Sequence, residues 1–234
     1  MDSGCELLDR IAADIGGAAL QVSGELNEPI RIQVVGRAGV GRTTVADALQ
    51  RAGFETVSES SAVDAPGVAD PDLDGDVVVY VLSGAPRSPD VEALRRVPRE
   101  TAVALVNKAD LQPSWASAMR VTAECEAETG VRALPMVGAR SRPGTPDGHG
   151  DVIAAVAAAD RIARARRCRA ALKTLAEAAA RGPDRDVLEG YLRSDEAVRL
   201  ASRAADALGD GAADRRRLAI VRRRSMVRTS ASVQ

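Results

Sequence analysis

Residues 36 to 43 read Gly36-Arg37-Ala38-Gly39-Val40-Gly41-Arg42-Thr43, and Asp64-Ala65-Pro66-Gly67 and Asn107-Lys108-Ala109-Asp110 follow in that order. Glycines at 36, 39 and 41 let several backbone N–H groups turn inward on the oxygens of an anion, and a helix beginning at Thr43 adds its positive end. Thr43 supplies a hydroxyl at the position where such loops ligate a cation. Arg42 supplies a guanidinium where they ordinarily carry lysine, exchanging a compact ammonium for a planar fork that favours bidentate contacts.

These groups need a scaffold that brings three separated segments to one edge. The stretch Ile30 to Val35 reads as a strand running straight into the glycine loop, and Thr43 to Arg51 reads as a helix closed by Gly53. Asp76 to Leu82 and Thr101 to Val106 have continuous apolar runs, the pattern of strands buried on both faces of a parallel sheet. Helices are expected over 90–97 and 114–129, with a last strand over 131–137. The fold class is therefore α/β, a doubly wound and mostly parallel sheet, with ligands expected at the carboxyl ends of its strands.

Outside this core, residues 5 to 20 carry Leu7, Leu8, Ile11 and Ile15 at helical spacing, and the polar stretch up to Pro29 reads as a connector. After a Pro/Gly loop at 141–150 the chain turns helical, over about 151–180, 184–208 and 212–227. The expected division is 1–28 for the leading helix and connector, 29–165 for the sheet domain, and 166–234 for a C-terminal helical region with an Arg-rich tail. His149, the single histidine, is expected to be a solvated bystander, which excludes a His-based triad or zinc site.

The three motifs resemble the first, third and fourth signatures of small P-loop GTPases (the TRAFAC class), most closely the Era-like branch, over about residues 30 to 160. That resemblance implies a G domain whose loop residues Gly36, Arg37, Ala38, Gly39, Val40, Gly41, Arg42, Thr43 and Thr44 bind phosphate. Arg42 and Thr43 would be the catalytic residues. Magnesium would be held by Thr43 and, through water, by Asp64, and the Gly67 N–H would touch the γ-phosphate. Asn107 would tie its loop to the glycine loop, Lys108 would lie over the base, and Asp110 would bind the guanine ring. A carboxylate accepts from the two adjacent donors of guanine, which adenine does not present, so GTP and GDP are the expected ligands. A weaker match, Gly138-Ala139-Arg140, resembles the family's base loop, with the Ala139 N–H offered to the guanine oxygen.

The chain departs from the family in three places. Arg42 replaces lysine; only about 20 residues separate Thr43 from Asp64, where the family fits a switch segment and an extra strand; and Val68 follows the Asp-x-x-Gly motif. Thr56 is the best candidate for the metal-sensing threonine. Two readings stay open: a slow or partner-activated GTPase, or a pseudo-GTPase scaffold acting with a partner GTPase such as a larger dynamin-like one. Asp64 to Gly67 also fits an ordinary turn.

The chain has 234 residues and a formal net charge of -1. That value hides an asymmetry, since residues 214 to 234 hold seven arginines against one aspartate. The cluster Arg215 to Arg217 and Arg222 to Arg224 fits either a solvated terminal helix or an adaptor for RNA or anionic membrane. Two lysines stand against thirty arginines, so a lysine kept at position 108 points to a chemical reason. An odd number of dispersed cysteines, Cys5, Cys125 and Cys168, fits a reducing compartment, and no apolar run is long enough to span a bilayer. The expected location is cytoplasmic.

Overall fold

The computed structural model describes residues 5–138 and 145–209. The expected contacts of Ala139 and Arg140, the helix over 212–227 and the arginine cluster lie outside the described residues. The chain divides into two compact units, one of residues Pro29–Ala163 and one joining the described residues 5–28 and 164–209.

In the first unit, β1 (Ile32–Gly36), α3 (Arg42–Arg51), β2 (Val57–Glu59), β3 (Val77–Leu82), α4 (Ser88–Arg95), β4 (Ala102–Val106), α5 (Trp115–Thr129) and β5 (Ala133–Pro135) precede a long helix, α6 (His149–Arg181). The strands form one parallel sheet in the order β2-β1-β3-β4-β5. Every residue of β1, β3 and β4 is buried, as their unbroken apolar runs require. Alternate residues serve opposite faces. Val34, Val79, Val81 and Leu105 pack with Val45 and Leu49 of α3 and with Val152 and Val156 of α6. Val35, Val78, Tyr80 and Ala104 pack with Leu94 of α4 and Cys125 of α5. The sheet is thus doubly wound. The strand order reverses at β1, where β2 lies on one side and β3 on the other, and that point is the usual ligand crevice of such sheets.

Burial pushes the Cys125 thiol up to about 11 and also raises that of Cys168. None of the cysteines at 5, 125 and 168 is in a disulfide.

The second unit is helical: α1 (Glu6–Ile15), α2 (Gly17–Asn27), the later turns of α6, α7 (Arg185–Leu192) and α8 (Asp195–Ala207). The connector expected before Pro29 is in fact α2. Gly16, at φ +63°, breaks the leading helix, and Ala19, Val22 and Leu26 continue a second apolar stripe between polar residues. Packing of that stripe with Leu8 of α1 and Leu175 of α6 outweighs the polar composition. The helix expected over 184–208 is likewise two. It is cut at Ser194, whose hydroxyl accepts from the Ala197 N–H at 3.2 Å and caps α8. In this unit the Glu196 carboxylate accepts from the N–H groups of Leu7 and Leu8 at 3.0 and 3.2 Å, satisfying orphan donors at the start of α1. Among the described residues no helix is long and apolar enough to cross a membrane.

Candidate functional site

The glycine loop leaves β1 at Gly36 and enters α3 at Arg42. Gly36, Gly39 and Gly41 have φ of +154°, +77° and +94°. At Gly36 a Cβ would stand 2.4 Å from the Val81 carbonyl oxygen, so β1 and β3 approach too closely there for a side chain. Gly41 is pressed on by Asn107, whose Nδ2 would lie 2.3 Å from a Cβ.

Asn107 and Lys108 follow β4 and reach the glycine loop directly. Asn107 Nδ2 donates to the Val40 carbonyl at 2.9 Å, and Lys108 Nζ donates to the Gly39 carbonyl at 2.8 Å. Asn107 is 2% exposed. Lys108 has φ +58°, a left-handed conformation that turns the chain into the short 3-10 turn Ala109–Leu111. Asp110 is exposed on that turn. Gly138 completes the junction, since a Cβ there would meet Asn107 Oδ1 at 2.9 Å and Thr44 Cγ2 at 3.0 Å. The structure therefore brings together the segments around residues 36–44, 107–110 and 138.

This contact sets a stability test. Replacing Asn107 by alanine removes a buried hydrogen bond and is expected to cost about 1–3 kcal/mol, read as a lower urea midpoint. The more exposed amine of Lys108 makes Lys108→Ala the milder variant, at about 1 kcal/mol or less.

The chain touches the loop just before the 64–67 segment. Val63 pairs with Arg37 as an isolated parallel bridge, and its N–H donates to the Gly36 carbonyl at 3.1 Å. Asp64 is exposed, has φ +57°, and its N–H donates to the Asp70 carboxylate at 2.7 Å. Gly67 lies in a turn closed by the Val68 N–H on the Ala65 carbonyl.

The two loop arginines have protein partners. Arg37 Nε lies 3.0 and 3.1 Å from the two oxygens of Asp90, which is fully buried and also accepts from Tyr80 Oη at 2.9 Å and the Arg87 N–H at 2.8 Å. Burial first, and then the Asp90 carboxylate, raise the Tyr80 hydroxyl above its usual range. Arg42 Nη1 donates to the Ser60 carbonyl at 2.6 Å, and its Nη2 lies 3.4 Å from Glu59 Oε1. Thr43 Oγ1 donates to Glu59 Oε2 at 2.8 Å.

Only β2 lies between α3 and Asp64, so the sheet has no further strand there. Thr56 is misplaced for metal sensing: its carbonyl accepts from Ile32 N–H at 2.8 Å, at the start of β1. At about 3.3 Å per residue that is the opposite end of the strand from the glycine loop. His149 is not a bystander either, because its Nε2 lies 2.7 Å from the Val137 carbonyl and supports the segment before Gly138.

Sequence reasoning missed Glu59, Ser60, Tyr80 and Asp90. Asp90 had a local signal, standing three residues after Arg87 at a helix start, where an acidic side chain takes the first free N–H. Glu59 had none beyond the arginine at 42, which calls for an anionic partner.

Thr43, Glu59 and Asp64 offer hard oxygen donors of the kind magnesium accepts alongside nucleotide phosphates. No group of three or more His, Cys, Asp or Glu able to hold a metal occurs among the described residues. A magnesium ion bound mainly by phosphates needs only one or two protein donors, so Thr43 and Asp64 fit that role chemically. The α/β architecture with a parallel sheet and a strand, glycine loop and helix in succession is compatible with a P-loop NTPase. The chain matches no protein-family model, and no curated protein matches it.

Proposed function

We propose that the chain binds a guanine nucleotide in the manner of an Era-like G domain, and hydrolyses GTP slowly or with help from a partner. The observation that carries this reading is the junction in which Asn107 and Lys108 hydrogen-bond the Val40 and Gly39 carbonyls. Those bonds hold the segment that leads into Asp110 against the glycine loop, which supports a single purine nucleotide meeting both.

In this reading the N–H groups of residues 37 to 44 hold phosphate oxygens, assisted by the positive end of α3. Arg42 carries charge toward the β- and γ-phosphates, and Thr43 and Asp64 would hold magnesium. When bound, that ion neutralises charge on the transferred phosphoryl group. Asp110 accepts from the guanine ring, and Gly138 leaves room beside Asn107 and Thr44.

Calorimetry with GDP, GTP and ADP in magnesium buffer tests it. GDP and GTP are expected to bind, with ADP at least about tenfold weaker, which is about 1.4 kcal/mol. Equal or absent binding of all three removes the reading.

One observation favours the pseudo-GTPase alternative: the Arg42 guanidinium is engaged by Ser60 and Glu59. Single-turnover phosphate release by the wild type would sink that alternative. Release only by an Arg42→Lys variant would support it.

A further inference from the structure

We propose that Glu59 competes with nucleotide phosphate for Arg42 while tying up the Thr43 hydroxyl, so that removing its carboxylate tightens nucleotide binding. The inference rests on the nucleotide reading and names a residue that limits affinity at that same site.

The placement follows from the sheet. Glu59 ends β2 in register with Val34 of β1, and the Ser60 N–H donates to the Val34 carbonyl at 3.1 Å. The segment therefore leaves the sheet beside the first turn of α3. One Glu59 oxygen faces the Arg42 guanidinium at 3.4 Å while the other accepts from the Thr43 hydroxyl at 2.8 Å. Arg42 and Thr43 are the first two side chains of α3, ahead of Thr44.

A carboxylate resembles one face of a phosphate: it is planar, anionic, and has two oxygens spaced to accept from neighbouring donors. Two anions a few ångströms apart repel, so a phosphate seated on Arg42 drives Glu59 off the guanidinium and with it off the neighbouring Thr43 hydroxyl. Displacement is feasible, because the Glu59 side chain is 30% exposed and has solvent to enter, whereas Arg42 at 14% stays in place, held also by the Ser60 carbonyl. The contact thus neutralises the loop's charge in the absence of ligand, and nucleotide gains only the difference between its own contacts and those of Glu59.

The test compares the full-length wild type with Glu59→Gln and Glu59→Ala, titrated with GDP and GTP with and without magnesium, and follows release of a fluorescent GDP analogue. Thermal midpoints report on folding, and Glu59→Gln keeps the shape if Glu59→Ala does not fold. About tenfold tighter GDP binding and slower release in the variants is the expected result. Binding by the variants alone, with none by the wild type, supports the proposal as well. Unchanged affinity overturns it, as does weaker binding, which would make Glu59 a ligand of the bound metal. Absence of guanine-nucleotide binding in all three proteins overturns the nucleotide reading itself, an outcome distinct from unchanged affinity.

Discussion

Replacing Asp90 by alanine is expected to lower stability by about 3–5 kcal/mol, the cost of breaking a buried ion pair from one side. Asp90 has no exposed surface and receives Arg37 Nε on both oxygens, Tyr80 Oη and the Arg87 N–H. Its removal strands a guanidinium whose side chain is 18% exposed and a hydroxyl inside the sheet's core, and frees the first turn of α4. Urea denaturation followed by circular dichroism reads the effect. Asp90→Asn keeps the volume and one acceptor oxygen, so it should cost less. Adding Arg37→Met and Tyr80→Phe to Asp90→Ala should recover part of the loss, because no unpaired donor of either residue then remains. A change below about 1 kcal/mol in Asp90→Ala would show that the network contributes little.

The second large effect is expected at Gly41. An alanine there combines φ of +94° with a Cβ 2.3 Å from Asn107 Nδ2, so the side chain that joins two loops must move. Left-handed strain of about 1–2 kcal/mol adds to the loss of the Asn107 hydrogen bond to Val40, giving about 2–4 kcal/mol. Gly39 is the matched control. It also has a positive φ, +77°, but no heavy atom within 4 Å of its Cβ position. Gly39→Ala should therefore carry the strain alone. Equal urea midpoints for the two variants would contradict the close packing of Gly41 on Asn107. Under the proposed function Gly41→Ala should also abolish GDP binding in calorimetry.

The sheet unit was largely legible because parallel strands buried on both faces leave continuous apolar runs, as at Val77–Leu82 and Ala102–Val106. The glycine loop was legible for a related reason: glycine marks backbone that other residues rarely adopt, and Gly36, Gly39 and Gly41 all have positive φ. The Asn107 tie to the loop was expected; the Lys108 contact with Gly39 was not, since resemblance assigned that side chain to a base. What stayed hidden depended on tertiary position. Glu59 reaches Arg42 and Thr43 only through the register of β2 on β1, which a three-residue strand does not announce. Asp90 meets Arg37 across 53 residues of chain. Helix α2 was hidden because its apolar stripe is sparse and is completed only by neighbours in the helical unit.

The edges of the sheet carry a different consequence. β2 and β5 have three residues each, while the interior strands have five or six, so little backbone is left open for another chain to pair with. Pro135 reinforces this in β5 because it has no N–H to donate. Short borders, one of them marked by proline, discourage strand-to-strand aggregation, and a protein whose interior strands are as apolar as Val-Val-Val-Tyr-Val-Leu depends on such borders whenever it is concentrated or partly unfolded.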